Sequence, residues 1–176
     1  MTVSRSDTQV SQQVVVGVDG SPASLRALQW AADYASARHL KMNVIVAWDD
    51  PFAERFESPM SAGQMLDRLI GHLRAENRRL EIDGQVVQGD AAKTLESASD
   101  GAALLVVAQR GHGELVGMLL GSVSEHCITH AKCPVLVYRD EPQDACRGRT
   151  EDHRTAATGS APWERLDQIM RDPGGI

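Results

Sequence analysis

Aromatic side chains and cysteines are both scarce in this sequence. Phe, Trp and Tyr together make up 4% of the 176 residues, whereas hydrophobic residues as a whole make up 42%. The core must therefore consist of Val, Leu, Ile and Ala, a composition that favours an α/β protein. The three cysteines, Cys127, Cys133 and Cys146, are odd in number and unevenly spaced, which does not resemble a disulfide framework and predicts reduced thiols.

The sequence also lacks an excess of positive charge and any long hydrophobic run. The formal net charge is -6, and no stripe of Lys and Arg offers a surface for nonspecific nucleic-acid binding. No apolar run approaches the length of about 20 residues that spans a bilayer, and the polar start lacks the apolar core of a signal peptide. We therefore expect a cytoplasmic protein that has neither nucleic acid nor a membrane as a partner.

The composition divides the chain into three parts. Residues 1–13 are rich in Ser, Gln and Thr without periodicity, which predicts a disordered leader. Residues 14–139 have the length and pattern of one well-buried domain. Residues 140–176 form a polar tail, in which a weak amphipathic pattern at 162–171 leaves two alternatives open: a short helix that docks on a surface or a partner, or a disordered tail with a nascent helix.

Within residues 14–139, strand-like apolar runs alternate with amphipathic helical patterns. Strands are predicted at 14–19, 41–48, 81–88, 102–107 and 134–138, and helices at 22–39, 61–79, 91–99 and 122–131. This alternation predicts a parallel, doubly wound sheet with right-handed crossovers. Ligands of such sheets bind beyond the carboxyl ends of the strands, where the sequence places Asp19, Ala47 and Ala108.

A cluster of glycines and hydroxyls follows the fourth predicted strand. Gly111 and Gly113 allow the backbone to approach a ligand closely, and after Gly121 the hydroxyls of Ser122 and Ser124 open the next helix. Unpaired N–H groups and the positive end of the helix dipole would then point toward the glycines, a geometry that suits phosphate. The alternative is a connecting loop without a ligand, although three glycines and two serines exceed what a connector needs.

A magnesium site and a transition-metal site are weaker interpretations. Asp19 with Asp49 and Asp50 at strand ends could form the acidic Mg²⁺ pocket of a receiver domain, but this leaves the glycine segment unexplained. His126 and His130 share a helix face and Cys133 lies just beyond, yet a fourth ligand is lacking. We therefore expect no metal site.

Catalytic patterns are not recognisable in the sequence. It contains no phosphate-binding string of Gly-x-x-x-x-Gly-Lys followed by Ser or Thr, and the first strand is not followed by three spaced glycines. The sequence also shows no Ser-His-Asp order and no pair of carboxylates in one motif, which are the patterns that would predict hydrolysis. We therefore expect no catalytic residues and no enzyme.

Three segments together resemble the universal stress protein family. They are Val14-Val-Val-Gly-Val-Asp-Gly-Ser21, Val46-Ala-Trp-Asp49, and Arg110-Gly-His-Gly through Leu119-Leu-Gly-Ser-Val-Ser-Glu-His126 to Cys133-Pro-Val-Leu-Val137. Their order and spacing are more specific than a single glycine pattern. The resemblance covers residues 14–139 and implies a five-stranded parallel sheet in a three-layer α/β/α arrangement, the Rossmann-like fold of the adenine nucleotide α-hydrolase-like type.

The resemblance also implies ATP as the ligand, with Mg²⁺ as an optional counterion. In the ATP-binding branch of the family, the motif is Gly, two residues, Gly, nine residues, then Gly-Ser or Gly-Thr. Here Gly111, followed after nine residues by Gly121 and Ser122, fits the second part, whereas Ala108 replaces the first glycine. Alanine costs about 1 kcal/mol or more if that position needs a positive φ.

Carried over residue by residue, the resemblance implies an adenine-nucleotide site. Asp19 would face the ribose or the base, the backbone at Ala47 would meet adenine, and the glycine segment would surround the phosphates. Capping of the next helix is the alternative role for Asp19, and the two roles are compatible. The candidate cofactor-binding residues are Gly17, Val18, Asp19, Gly20, Ser21, Ala47, Ala108, Gln109, Arg110, Gly111, Gly113, Gly121, Ser122, Val123 and Ser124.

Two functions remain open at this point. The first is a non-catalytic, ATP-binding regulatory protein of the stress response that acts on an unidentified regulatory protein partner. The second is a dimeric interaction protein of the same family that does not bind nucleotide, which is consistent with Ala108. The apolar run from Pro134 to Tyr138 resembles the edge through which relatives pair, so a homodimer is expected.

Overall fold

Strands and helices alternate along the chain. The computed structural model describes residues 13–48, 59–109, 120–139 and 162–171. In chain order the elements are β1 (Gln13–Gly17), α1 (Pro22–Arg38), β2 (Lys41–Trp48), α2 (Pro59–Glu76), β3 (Ile82–Gln88), α3 (Ala91–Ala98), β4 (Leu104–Ala108), α4 (Ser122–His130), β5 (Val135–Tyr138) and α5 (Pro162–Arg171). None of the described helices is both long enough and apolar enough to cross a membrane.

The strands form one sheet in the order β3-β2-β1-β4-β5. All neighbouring strands are parallel, which confirms the five-stranded parallel sheet expected from the sequence. The order reverses at β1, because β2 and β3 extend to one side of it and β4 and β5 to the other. Open parallel sheets form a crevice at such a reversal, beyond the carboxyl ends of the strands.

Helices cover both faces of the sheet, so the central strands are buried on both sides. Val14 and Val16 of β1 belong to a core with α1 and α2, whereas Val15 of β1 and Val107 of β4 pack with Leu95 of α3. Burial on both faces explains why these strands are continuous apolar runs rather than alternating patterns. The three-layer α/β/α arrangement is therefore confirmed.

The cysteines of the described part lie near α4. Cys127 is buried, Cys133 is half-buried, and both are free thiols. Burial raises the pKa of the Cys127 thiol to about 11, which keeps this side chain neutral at physiological pH. Cys146 lies outside the described residues.

Helix α5 packs on the side of the sheet that α1 and α2 cover. Leu166 is 0% exposed and belongs to the same core as these two helices. Arg165 Nη1 lies 3.3 Å from Glu76 Oε1 at the C-terminal end of α2, whereas Glu164 and Gln168 are exposed. Leu166 and the ion pair of Arg165 with Glu76 thus help to attach α5 to the domain.

Candidate functional site

The chain reverses sharply between β1 and α1, at the point where the strand order reverses. Val18 N donates to Ile45 O at 2.9 Å and so extends the pairing of β1 with β2 by one hydrogen bond. Gly20 then has φ 76°, in the left-handed region that favours glycine. This conformation allows α1 to start beside the carboxyl end of β1.

Asp19 is oriented by this turn. Its Oδ1 accepts a hydrogen bond from Ser21 N at 2.9 Å, and its own N–H donates to Ser24 Oγ at 3.3 Å. Ser21 is the residue that caps α1, because its Oγ accepts from Ser24 N at 3.2 Å. An ionised carboxylate can accept about four hydrogen bonds, so the role of Asp19 in the turn is compatible with binding a sugar hydroxyl.

Two hydrogen bonds bring the first turn of α4 to the end of β4. The Gln109 carbonyl accepts from Gly121 N at 2.9 Å, and the hydroxyl of Ser124 donates to Ala108 O at 2.6 Å. Ser124 is 3% exposed, so its hydroxyl proton is directed at β4 rather than at solvent. The side chain of Ser124 therefore positions α4 at the crevice.

The N-terminus of α4 is suited to binding an anion. Gly121 is the N-cap residue with φ -77° and ψ 156°, and no side-chain hydrogen bond caps this helix within the described residues. Glycine has no side chain that could accept from the first N–H groups of α4, which carry the positive end of the helix dipole. Together with the exposed Ser122, these groups form a donor set that fits phosphate oxygens.

Ala108 has the backbone conformation of an ordinary strand residue. It is the last residue of β4 and pairs with Tyr138 of β5. Among the described residues, His39 is the non-glycine with a positive φ. The alanine that departs from the family motif therefore carries no conformational penalty.

Gly17 has a packing role beneath the turn. A Cβ atom there would lie 2.7 Å from Leu95 Cδ1 of α3, a distance too short for real contacts. Glycine thus allows α3 to pack closely against β1 where the strand ends. Sequence reasoning did not detect this role, because Leu95 is distant in the chain.

The described candidates lie at one edge of the sheet. The turn after β1, the end of β2 and the junction of β4 with α4 meet there, although the residues come from distant parts of the chain. They are Gly17, Val18, Asp19, Gly20, Ser21, Ala47, Ala108, Gln109, Gly121, Ser122, Val123 and Ser124. The candidates Arg110, Gly111 and Gly113 lie outside the described residues, as do Asp49 and Asp50.

His126 of α4 contacts α3, and the two histidines of α4 stack on each other. His126 Nε2 lies 2.7 Å from Glu96 Oε2, and the His126 ring stacks on His130 with centroids 4.2 Å apart. The hydrogen bond with His126 lowers the pKa of the Glu96 carboxyl. Glu96 lies 30 residues from His126 in the chain, so no local pattern could have revealed the pair.

Residues 13–48, 59–109, 120–139 and 162–171 contain no group of three His, Cys, Asp or Glu residues that could hold a metal ion.

Comparison of the sequence with known proteins identifies relatives that belong to one family. A sequence model of the universal stress protein family matches residues 11–139. The chain is similar to a universal stress protein of Mycobacterium tuberculosis, with 31% identity over 165 residues that cover 80% of this chain and 52% of the relative. A second one from that organism is 38% identical over 135 residues, which cover 72% and 45%. The chain spans about half the length of the curated relatives it matches.

Solved structures agree with this comparison. A universal stress protein in complex with cAMP has a TM-score of 0.59 and 31% identity, with coverage of 74% of this chain and 98% of that one. A universal stress protein from Archaeoglobus fulgidus in complex with dAMP has a TM-score of 0.58 and 22% identity, with coverage of 73% and 98%. At the latter identity the likeness concerns the fold alone.

Proposed function

Because this chain belongs to the universal stress protein family, we propose that it binds an adenine nucleotide at the carboxyl edge of its sheet and acts as a non-catalytic regulatory protein. The observation that carries the proposal is the glycine-capped N-terminus of α4, which hydrogen bonds hold against the end of β4. A relative 31% identical to this chain was solved with cAMP, which supports an adenine nucleotide as the ligand class.

The proposed roles follow the order of the strands. The backbone at Ala47 of β2 meets the base, Asp19 after β1 accepts from the ribose hydroxyls, and the first N–H groups of α4 bind phosphate. Arg110, Gly111 and Gly113 are proposed from the sequence to complete the phosphate site. ATP, with Mg²⁺ as an optional counterion, is the proposed nucleotide.

We further propose that nucleotide occupancy is read by a protein partner at this edge of the sheet. A ligand changes the surface presented to a partner only by the difference in its affinity for two states of the protein. The proposed site contacts the start of α1 and of α4, so occupancy can act on both helix N-termini.

The test of nucleotide binding uses two variants at the N-cap of α4. Gly121→Asp introduces a good capping residue where φ is -77°, so the free energy of unfolding should stay equal or rise by up to about 1 kcal/mol. Its carboxylate would take the N–H groups proposed for phosphate and repel the anion, so ATP affinity should fall more than about tenfold. Gly121→Asn adds a neutral side chain of similar size and is the matched control for charge.

The measurements are thermal unfolding with and without ATP, together with titration calorimetry. If ATP is present at about 100 times its Kd, the wild-type protein should gain about 2.7 kcal/mol of stability. An unchanged melting temperature at millimolar ATP would contradict the proposed function. Equal ATP affinity in the wild type and in Gly121→Asp would place the phosphates elsewhere.

Pairing of two copies is a second proposal, and the position of β5 at the edge of the described sheet supports it. Within the described part of the chain β5 pairs only with β4, and all four of its residues are half-buried. Ile128 of α4 is 52% exposed. His126 contacts α3, and a residue two positions further lies about 200° around a helix, so Ile128 is on the side of α4 away from α3. We propose that the segment from Pro134 to Tyr138 forms a homodimer interface with Ile128 at its margin.

A further inference from the structure

Arg139 is a cation at the carboxyl edge of the sheet that the site described above does not use. It directly follows β5 and is exposed. Four described residues come directly after a strand, namely Val18, Gly89, Gln109 and Arg139, and Arg139 is the charged one among them. An exposed cation at the edge where an anion is proposed to bind is a candidate for contact with that anion.

The alternation of side chains along β5 indicates on which face of the sheet Arg139 lies. Leu136 and Tyr138 pack with the core that α1 and α2 cover, whereas Val135 and Val137 pack with the core that includes Cys127 of α4. Successive residues of a strand point to opposite faces. Continued by one residue beyond β5, this alternation assigns Arg139 to the α4 face, where the proposed phosphate donors lie.

Hydrogen bonds link the backbone of Arg139 to the start of α4. The peptide carbonyl that precedes Arg139, Tyr138 O, accepts from Gln109 N at 2.7 Å, and Gln109 O accepts from Gly121 N at 2.9 Å. One residue thus separates the Arg139 peptide from the N-cap of α4. The long side chain of arginine can span this separation.

The strand order places Arg139 at the far end of the proposed nucleotide. Base, ribose and first phosphate are assigned to β2, β1 and the junction of β4 with α4, and β5 is the next strand in that direction. Neighbouring strands lie about 4.8 Å apart, so the end of β5 is about 10 Å from the end of β1. The phosphate of a monophosphate stays near the ribose, whereas the outer phosphates of a triphosphate extend toward β5.

A triphosphate brings more negative charge to an edge that already holds carboxylates, so a cation there in addition to the proposed Arg110 and Mg²⁺ would favour its binding. Asp19 lies after β1, and Glu125 is exposed in the first turn of α4. The helix dipole offsets only about half a charge. The planar guanidinium of arginine matches two phosphate oxygens at once and forms strong charge-assisted hydrogen bonds.

We propose that Arg139 binds the outer phosphates and makes the site prefer nucleoside triphosphates to monophosphates. This inference rests on the proposed function and specifies the ligand class of the same site.

The test compares Kd for ATP and for AMP by titration calorimetry in four proteins at one fixed salt concentration. Arg139→Gln should weaken ATP binding about tenfold, which corresponds to about 1.4 kcal/mol, and should change AMP binding less than about twofold. Arg139→Lys keeps the positive charge but lacks the planar guanidinium. Its Kd for ATP should therefore lie between those of the wild type and Arg139→Gln. Lys41→Gln is the matched control, because it removes one exposed positive charge at the amino end of β2, away from the proposed site. It should leave both dissociation constants unchanged.

The outcomes separate this inference from the function on which it rests. A wild-type protein that binds neither nucleotide would contradict both. A wild-type protein that binds ATP, with an unchanged ratio of ATP to AMP affinity in a folded Arg139→Gln variant, would contradict only the role of Arg139. A similar loss of ATP affinity in Lys41→Gln would show a general effect of net charge and would also overturn the assignment.

Discussion

At the scale of single residues, backbone conformation determines whether alanine can replace the motif glycine at position 108. A glycine is required where φ is positive, as at Gly20 with φ 76°. Ala108 lies in β4 and pairs in regular register, so this position does not require glycine. The departure from the motif is therefore compatible with the nucleotide site that we propose.

Restoring the motif glycine tests this argument. We expect Ala108→Gly to lower the free energy of unfolding by about 0.5–1 kcal/mol, because glycine loses more conformational entropy in a strand. The Kd for ATP should change less than about twofold, since the backbone already has the required geometry. Urea unfolding and titration calorimetry measure the two quantities. A gain in ATP affinity of about tenfold would instead indicate that the methyl group obstructs the ligand.

At the scale of elements, α3 and α4 are joined beside the proposed site. Glu96 of α3 contacts His126 of α4 at 2.7 Å, and the hydroxyl of Ser99 accepts from Lys132 N at 2.8 Å just beyond α4. Leu95, next to Glu96, packs under Gly17 at the end of β1. The contact of these two helices thus supports the same edge of the sheet that the strand ends form.

Because of the carboxyl of Glu96, we expect the free energy of unfolding to depend on pH in the acid range. Its hydrogen bond with His126 lowers the pKa of Glu96, so the unfolded chain binds more protons than the native one in this range. The contribution to stability is therefore present above the ordinary glutamate range, near pH 4.3, and is lost as the pH falls through the lowered pKa.

We expect Glu96→Gln to lose less stability than the wild type between about pH 5 and pH 3, because this linked proton uptake is removed. Urea unfolding across that range measures the difference. Glu125→Gln, at an exposed carboxylate on α4, is the control for the removal of one negative charge. Parallel stability curves for the wild type and Glu96→Gln would contradict the assignment.

At the scale of the whole molecule, the sheet has two edge strands that differ in their surroundings. β3 lies at one edge and β5 at the other. Beside β5, the exposed Ile128 and the half-buried residues of the strand form an apolar margin. An edge strand with an apolar margin favours pairing with another copy.

Lysine substitutions at matched positions of the two edges test the dimer. Val137→Lys should yield monomers, because a charge at the proposed interface must be desolvated for pairing. Val87→Lys changes a half-buried valine on the opposite edge strand and should remain dimeric. Sedimentation velocity measures the mass, and circular dichroism verifies folding of both variants. A wild-type monomer, or a dimer that persists in Val137→Lys, would contradict this interface.

Local sequence patterns alone determined the elements and their order along the chain. The bounds of β2 were predicted residue for residue as 41–48, and the start of α4 was predicted at Ser122. Such features depend on neighbours within a few positions, through hydrophobic periodicity and capping. The same patterns predicted that polar and glycine residues follow the strands.

Tertiary structure alone decided which of these residues meet. Sequence periodicity assigns a side chain to a face but not to a partner, because strand order and helix packing depend on contacts between distant segments. The placement of Leu95 under Gly17, the pairing of Glu96 with His126, the burial of Leu166 and the hydrogen bonds that join the end of β5 to Gln109 and Gly121 all arise in this way. The reversal of strand order at β1 is likewise a property of the whole sheet, and it creates the crevice in which the proposed site lies.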